Sequence, residues 1–289
     1  MMLNTRTEIL IVGLGLLGGS YAKALKKQGF HVNAITKDQS SIDFALKNGL
    51  IDEGSIEVDP ELIGKADLVI FALYPHVFIE WIENNQQYLK SGAVITDVTG
   101  VKGGIVERIQ AILREDVEFI AAHPMAGKES SGVENSDDSI FKPANYIVVP
   151  TEKNTEEAVR LCKQLGAVLG FKDISELPVK DHDEMIAFLS QLTHCIAVSL
   201  MCSNDTPGLE RYTGDSFRDL TRIAKINDEM WSELFLANRE VLLREMDRFK
   251  KSFDELYESV KNGDREKMRE MMRCSTERRR RFEKRGIAK

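Results

Sequence analysis

The sequence predicts an α/β domain built on a parallel sheet, followed by an all-α helical domain. Three observations carry this reading. Short apolar strands alternate with amphipathic helices along the first half of the chain, a glycine-rich turn joins the first strand to the first helix, and strands vanish after Pro178. The chain has 289 residues, room for two domains of roughly 100–200 residues each. The expected domains span residues 1–177 and 178–289.

The first strand, Ile9–Val12, runs into the turn Gly13-Leu-Gly-Leu-Leu-Gly18. Gly13 permits the tight turn, and Gly15 lets backbone amides come close to a bound pyrophosphate. Gly18 lets the following helix pack on the strand with no Cβ between them. Leu16 and Leu17 lead into that helix, Gly19–Gln28, whose N-terminal N–H groups and partial positive charge suit phosphates. A second strand, His31–Ile35, completes the context the motif requires. The first domain therefore reads as a Rossmann-type dinucleotide-binding domain.

Further strands are expected at Leu68–Ala72, Ala93–Asp97, Phe119–Ala122 and Tyr146–Val149, with an edge strand at Val168–Phe171. They are apolar on both faces, as when helices cover both sides of a parallel sheet. Helices are expected at Ser40–Asn48, Val77–Tyr88, Gly104–Leu113 and Thr155–Leu165. The second domain reads as helices over Asp181–Cys202, Asp215–Ala224, Asp228–Asn262 and Asp264–Arg285. Met230, Leu234, Leu236, Val241, Leu242, Met246 and Phe249 recur at helical spacing. Such a stripe either closes the domain's own core or packs against a second copy, and a homodimer is expected.

Composition is that of an ordinary globular protein, with 43% hydrophobic and 29% charged residues. A net charge of −7 argues against nucleic acid as a partner. The basic run Arg278–Arg281 reads as a solvated helix end. No unbroken apolar run of membrane-spanning length is present, so no membrane span is expected. Cys162, Cys195, Cys202 and Cys274 lack CxxC spacing, which fits reduced thiols and a cytoplasmic location. No metal site is expected.

Ligands of an open parallel sheet bind beyond the C-terminal ends of its strands. After the second strand, Thr36 and Lys37 stand where a ribose-binding acid is usual, and Asp38 follows. Thr-Lys tolerates or attracts a 2′-phosphate, so the cofactor expectation is NADP or NAD with a lean to NADP; Asp38 keeps NAD open. Asp97-Val-Thr-Gly-Val-Lys102 and His123-Pro-Met-Ala-Gly127 follow later strands. His123 is the candidate base, because a histidine titrates near neutrality and this loop lies where a nicotinamide would end.

The pieces Gly13–Ser20, Asp97–Lys102, His123–Gly132, His182-Asp183, Phe217-Arg-Asp-Leu-Thr-Arg-Ile-Ala-Lys225 and Met230-Trp231 together resemble the prephenate dehydrogenase family, over about residues 8–250. The resemblance implies oxidative decarboxylation of prephenate to 4-hydroxyphenylpyruvate in tyrosine biosynthesis, with arogenate as the alternative substrate. It implies that His123 is the catalytic base and that Arg222 grips the side-chain carboxylate. His194 and Lys128 become further substrate-binding candidates, and Thr99 and Gly100 lie beside the nicotinamide. The bland alternatives are a surface ion pair for Arg222 and a core position for His194.

The chain departs from the family pattern at Gly100, where a serine is frequent, at Gln191 and Thr193, and at Thr213–Ser216. Many relatives carry a C-terminal tyrosine-binding domain; no βαββαβ pattern follows the helices, so none is expected. A hydroxy-acid dehydrogenase with a lysine base, or a non-catalytic dinucleotide sensor, would need neither His123 nor the Arg-Asp-x-Thr-Arg motif.

Overall fold

The structure, a computed structural model, describes residues 2–128 and 130–282. Six strands form one parallel sheet: β1 (Glu8–Val12), β2 (His31–Ile35), β3 (Glu53–Ser55), β4 (Leu68–Phe71), β5 (Val94–Asp97) and β6 (Glu118–Phe119). Their order is β3-β2-β1-β4-β5-β6, the arrangement of a doubly wound dinucleotide fold. The chain reverses direction across the sheet between β3 and β4, which makes the C-terminal edge of β1 and β4 the ligand crevice.

The alternation of side chains along β1 explains why both faces are covered. Ile9 and Ile11 pack with Tyr21 and Leu25 of α1 (Leu16–Lys27) and with Leu161 and Leu165 of α6 (Glu156–Leu169). Leu10 and Val12 pack on the other side with α4 (Pro75–Asn85) and α5 (Ile105–Ile112), through Phe78, Trp81, Ile82 and Ile109. Each such buried side chain contributes about 1.5–3 kcal/mol. Two short helices, α2 (Gln39–Lys47) and α3 (Pro60–Lys65), complete the crossovers, each N-capped by an aspartate, Asp38 and Asp59.

Three expectations are corrected. Tyr146–Val149 does not extend the parallel sheet: β8 (Asn145–Val149) lies in a second sheet between β7 (Ala121–Pro124) and β9 (Asp173–Glu176), antiparallel to β7. The chain bends after Phe119, so one apolar run serves both sheets. Val168–Phe171 is not a strand. Leu161, Leu165 and Leu169 keep helical spacing, so α6 runs on to Leu169 and stops at Gly170, whose φ of 92° is a left-handed cap. The two long helices are broken. Asp181–Cys202 divides into α7 (Val179–Ile186), a π-helical segment (Ala187–Gln191) and α8 (Leu192–Cys202). Asp228–Asn262 divides into α10 (Asp228–Ala237) and α11 (Arg239–Lys261). Between these pairs lies α9 (Asp215–Thr221), and α12 (Arg265–Arg280) follows; the expected end of that last helix, at 285, lies outside the described residues.

The chain forms two compact units, one ending at Arg239 and one beginning at Glu240. The helical stretch Val179–Cys202 is, by length and composition, apolar enough to cross a membrane, with mean hydropathy 1.7 in its 18-residue window. Its apolar residues are interspersed with polar ones, which is why a search for an unbroken run passes over it. Phe188, Leu189 and Met201 on this stretch are exposed, while His182, Asp183 and Gln191 are buried.

Candidate active site

The β1–α1 turn is built to receive a phosphate. Gly13 has φ of 96°, and a Cβ there would meet the Ala72 backbone; a Cβ on Gly18 would collide with the Gly13 carbonyl. Gly15 is different: a Cβ there would meet nothing within 4 Å. That space lies at the N-terminus of α1, where Gly15 is the cap and no side chain satisfies the first amides. The amides of Leu16 and Leu17 are therefore available to a pyrophosphate, and the residues fit a dinucleotide.

At the end of β2, the Thr36 amide donates to Ser55 O at 3.1 Å, Thr36 is half-buried and Lys37 is exposed. Asp38 is occupied. It accepts from the amides of Ser40 and Ser41 at 3.2 and 3.1 Å, and from their hydroxyls at 2.8 and 2.6 Å. Those bonds, the Ser41 and Ser40 hydroxyls foremost, hold its carboxyl below the usual range.

The loop after β5 carries a buried ion pair. Lys102 Nζ donates to Asp97 Oδ2 at 2.6 Å, to Ala122 O at 2.6 Å and to Thr99 Oγ1 at 3.1 Å. Thr99 also donates to the Asp97 carboxylate. Asp97 Oδ1 accepts from the Ala122 amide at 3.1 Å. Both ion-pair side chains are fully buried, and removing one partner of such a pair costs about 3–5 kcal/mol. Burial lowers the Lys102 pKa, with Asp97 opposing the shift. This cluster ties the β5 loop to β7, the strand that carries His123.

His123 sits on β7 opposite Ile147, in a strand and not in the turn that follows it. Its Nδ1 lies 2.9 Å from Nε2 of His182. His182 is fully buried, and its Nδ1 lies 2.7 Å from Asp183 Oδ1. Asp183 also accepts from the backbone amides of Lys102 at 3.0 Å and Gly103 at 2.6 Å. Burial, reinforced by His182 and the Lys102 charge, pushes the His123 pKa well below the ordinary histidine value. The opposite edge of His123 faces Gly100: a Cβ on that glycine would stand 3.9 Å from His123 Nε2 and 3.6 Å from Leu234 Cδ1.

The helical residues gather around α10. Leu234 reaches Gly100, and Trp231, one turn earlier on the same face, stacks on His194 with centroids 3.7 Å apart and planes at 30°. His194 Nδ1 donates to Ser190 O at 2.9 Å. Arg222 is exposed and opens the 3₁₀ turn Arg222–Ala224, which packs against α8, the helix of His194. The N-terminus of α4 and its cap residue bond to α10: the His76 amide donates to Glu233 Oε1 at 2.7 Å, and Asn227 Nδ2 donates to the Tyr74 hydroxyl at 3.1 Å. Lys128 pairs with Asp137 Oδ2 at 2.6 Å, within the segment that follows His123. Among the described residues no cluster of His, Cys, Asp and Glu could hold a metal ion.

Sequence reasoning gave no task to His182, Asp183, Trp231 or Leu234. The adjacent His-Asp pair at the start of an apolar helix was the available signal for the first two. Trp231 stood only as part of the Met230-Trp231 piece of the resemblance and Leu234 only in the apolar stripe, and their partners His194 and Gly100 are distant in the chain.

Two family models match, prephenate dehydrogenase nucleotide-binding domain over residues 21–172 and prephenate dehydrogenase dimerization domain over 178–274. The prephenate dehydrogenase of Lactococcus lactis is 32% identical over 268 residues, covering 89% of this chain and 72% of the relative. That of Bacillus subtilis is 29% identical, covering 92% of this chain and 74% of the relative. A solved prephenate dehydrogenase from A. aeolicus, in complex with hydroxyphenyl propionate and NAD+, superposes with TM-score 0.88 at 30% identity, covering 96% of this chain and 98% of its own. Synechocystis arogenate dehydrogenase superposes with TM-score 0.80 at 25% identity, covering 95% and 99%. The glycine turn, the sheet order, the half-buried histidine beside the sheet edge and these likenesses agree: the chain belongs to the prephenate dehydrogenase family of oxidoreductases.

Proposed function

We propose that the protein oxidatively decarboxylates prephenate to 4-hydroxyphenylpyruvate, with hydride transfer to NAD(P)+, in the cytoplasmic pathway to tyrosine. The observation that carries the reading is His123, engaged at Nδ1 and turned at Nε2 toward Gly100. The bound nicotinamide supplies a hydride acceptor. His123 takes the proton of the ring C4 hydroxyl as the C4 hydrogen leaves with its electron pair. The bond from the ring to its carboxylate then breaks, CO2 departs, and the electron pair closes the aromatic ring. The resulting phenolate recovers the proton from His123, so atoms and charge balance.

Arg222 holds the side-chain carboxylate in this reading, as a guanidinium can grip it bidentately. The His194–Trp231 stack lines the ring site, and Lys128, in the segment that follows His123, is a further substrate-binding candidate. Gly13, Gly15, Leu16, Leu17 and Gly18 cradle the pyrophosphate, and Thr99 and Gly100 border the nicotinamide. We assign NADP as the preferred cofactor. Thr36 and Lys37 suit a 2′-phosphate, and Asp38 spends its oxygens on the α2 cap. A homodimer and a cytoplasmic location complete the reading, the latter resting on four free cysteines.

The likeness to an arogenate dehydrogenase gives arogenate a claim as second substrate. Initial rates with both substrates crossed with both cofactors test the assignment. The expected result is higher kcat/KM for prephenate than arogenate and for NADP than NAD, with Thr36→Asp reversing the cofactor ratio. No turnover of either substrate overturns the function, and a clear NAD preference overturns the cofactor assignment.

A further inference from the structure

Behind His123 stand a buried histidine and a buried carboxylate to which the proposed reaction gives no direct task. Both nitrogens of His182 are engaged, Nδ1 with Asp183 and Nε2 with His123. The order of donors along this line can be worked out from one end. The Lys102 and Gly103 backbone amides can only donate, and they occupy both oxygens of Asp183. Asp183 is therefore the acceptor toward His182, whose Nδ1 carries hydrogen. A neutral imidazole protonated at Nδ1 presents a lone pair at Nε2. His123 Nδ1 must then be the donor of the histidine–histidine bond, and the remaining nitrogen of His123 is the acceptor.

We propose that Asp183 and His182 act as positioning residues that fix the tautomer of His123, hydrogen on Nδ1 and lone pair on Nε2. The inference rests on the reading of His123 as the base. The nitrogen turned toward Gly100 is then ready to accept a proton without prior rearrangement. No proton passes beyond His123. When Nε2 is protonated, the imidazolium keeps its Nδ1–H bond to His182, and the Asp183 carboxylate offsets the new charge through that ring.

The surroundings keep the line neutral between its ends. Lys102 and Asp97 face it from the β5 loop and Asp183 from α7, while Leu234 from α10 lies against Gly100. Burial lowers the His182 pKa despite the Asp183 bond, so a second positive charge next to an imidazolium at His123 is disfavoured.

Nitrogen-15 NMR of histidine-labelled enzyme tests this directly. The chain has five histidines, so the His123 signals can be assigned by their absence in His123→Asn. The wild type should show a protonated Nδ1 and a bare Nε2 on His123. Asp183→Asn is isosteric and should reverse the line. In the orientation that keeps the Gly103 amide on its oxygen, its NH2 stands at the Oδ1 place, leaves the Lys102 amide without that acceptor and donates to His182 Nδ1, which moves hydrogen onto His123 Nε2. That variant should show the swapped tautomer and lose roughly 10²–10⁴-fold in kcat, with KM for prephenate and cofactor affinity within about threefold of wild type.

A protonated Nε2 in the wild type overturns the proposal, and this measurement needs no variant to fold. Asp183→Asn with a swapped tautomer and near-normal kcat overturns it too. A wild type that fails to turn over prephenate overturns the proposed function instead, while the tautomer spectra still decide whether the line is ordered as argued.

Discussion

His123 is half-buried with a buried histidine at its Nδ1, and its pKa follows from that. Desolvation disfavours the imidazolium, and His182 and Lys102 add to the effect. The sign is definite. The neutral form is the base, so activity is lost as pH falls through the His123 pKa. The acid limb of kcat/KM should therefore lie below the ordinary histidine value of 6.5. His123→Asn should lower kcat by roughly 10²–10⁴-fold and abolish that limb, with cofactor affinity nearly unchanged. Near-normal turnover in that variant removes His123 from the chemistry. Arg222 answers to a different measurement. If it binds the substrate carboxylate, Arg222→Ala should raise KM for prephenate by the equivalent of roughly 2–5 kcal/mol. A collapse in thermal stability with KM unmoved would make it a structural residue.

At the scale of elements, the β1–α1 turn separates folding from binding. Gly13 and Gly18 are fixed by backbone contacts, so a side chain at either forces the strand and helix apart. Gly15 has φ of −92° and open space above it. Gly15→Ala should leave Tm within about 2 °C of wild type, since Ala adopts this conformation freely. The same methyl group would stand where the pyrophosphate approaches. Cofactor dissociation constants should rise at least about tenfold, the scale of one lost charge-assisted hydrogen bond. Unchanged affinity by calorimetry would mean the dinucleotide does not lie over Gly15. The long helices follow the same division between local pattern and distant demand. Their apolar spacing runs through Gln191 and Asn238 without a break. Yet Gln191 Nε2 donates to Leu234 O at 2.7 Å, and Asn238 Nδ2 donates to Gln191 Oε1 at 2.8 Å and Asp183 O at 3.0 Å. Those buried amides sit where the helices change character.

At the scale of the molecule, the unit beginning at Glu240 leaves Phe253, Tyr257 and Val260 exposed on α11, at 59%, 57% and 61%. They recur at helical spacing, and the matching family model is described as a dimerization domain. In a two-fold dimer each contact occurs twice, so losing one buried ring per copy costs about 3–6 kcal/mol. Phe253→Asp should shift the protein from dimer to monomer in light scattering at micromolar concentration. A wild-type monomer, or a variant that stays dimeric, removes this face from the interface.

How far the chain was legible follows from the range of the forces involved. Strands β1 and β4 carry the continuous apolar runs Ile9–Val12 and Leu68–Phe71, and β2 and β5 hold apolar residues around Asn33 and before Asp97; the sequence marks these four. The strand β3 is Glu53-Gly54-Ser55, held by backbone pairing to β2 and carrying no apolar signal. The glycine turn, the capping of α2 and the period of α6 are local, and each can be read from a few adjacent residues. The sequence by itself determined a dinucleotide fold, a helical second domain and the family, because hydrophobic period and glycine geometry act within a few residues. Only the tertiary structure decided that His123 meets His182, 59 residues away, that Gly100 faces Leu234, and that His194 lies on Trp231. Those contacts depend on where the second sheet turns and where helices break. That is set by the packing of whole elements and by buried polar groups finding partners, which no local pattern encodes.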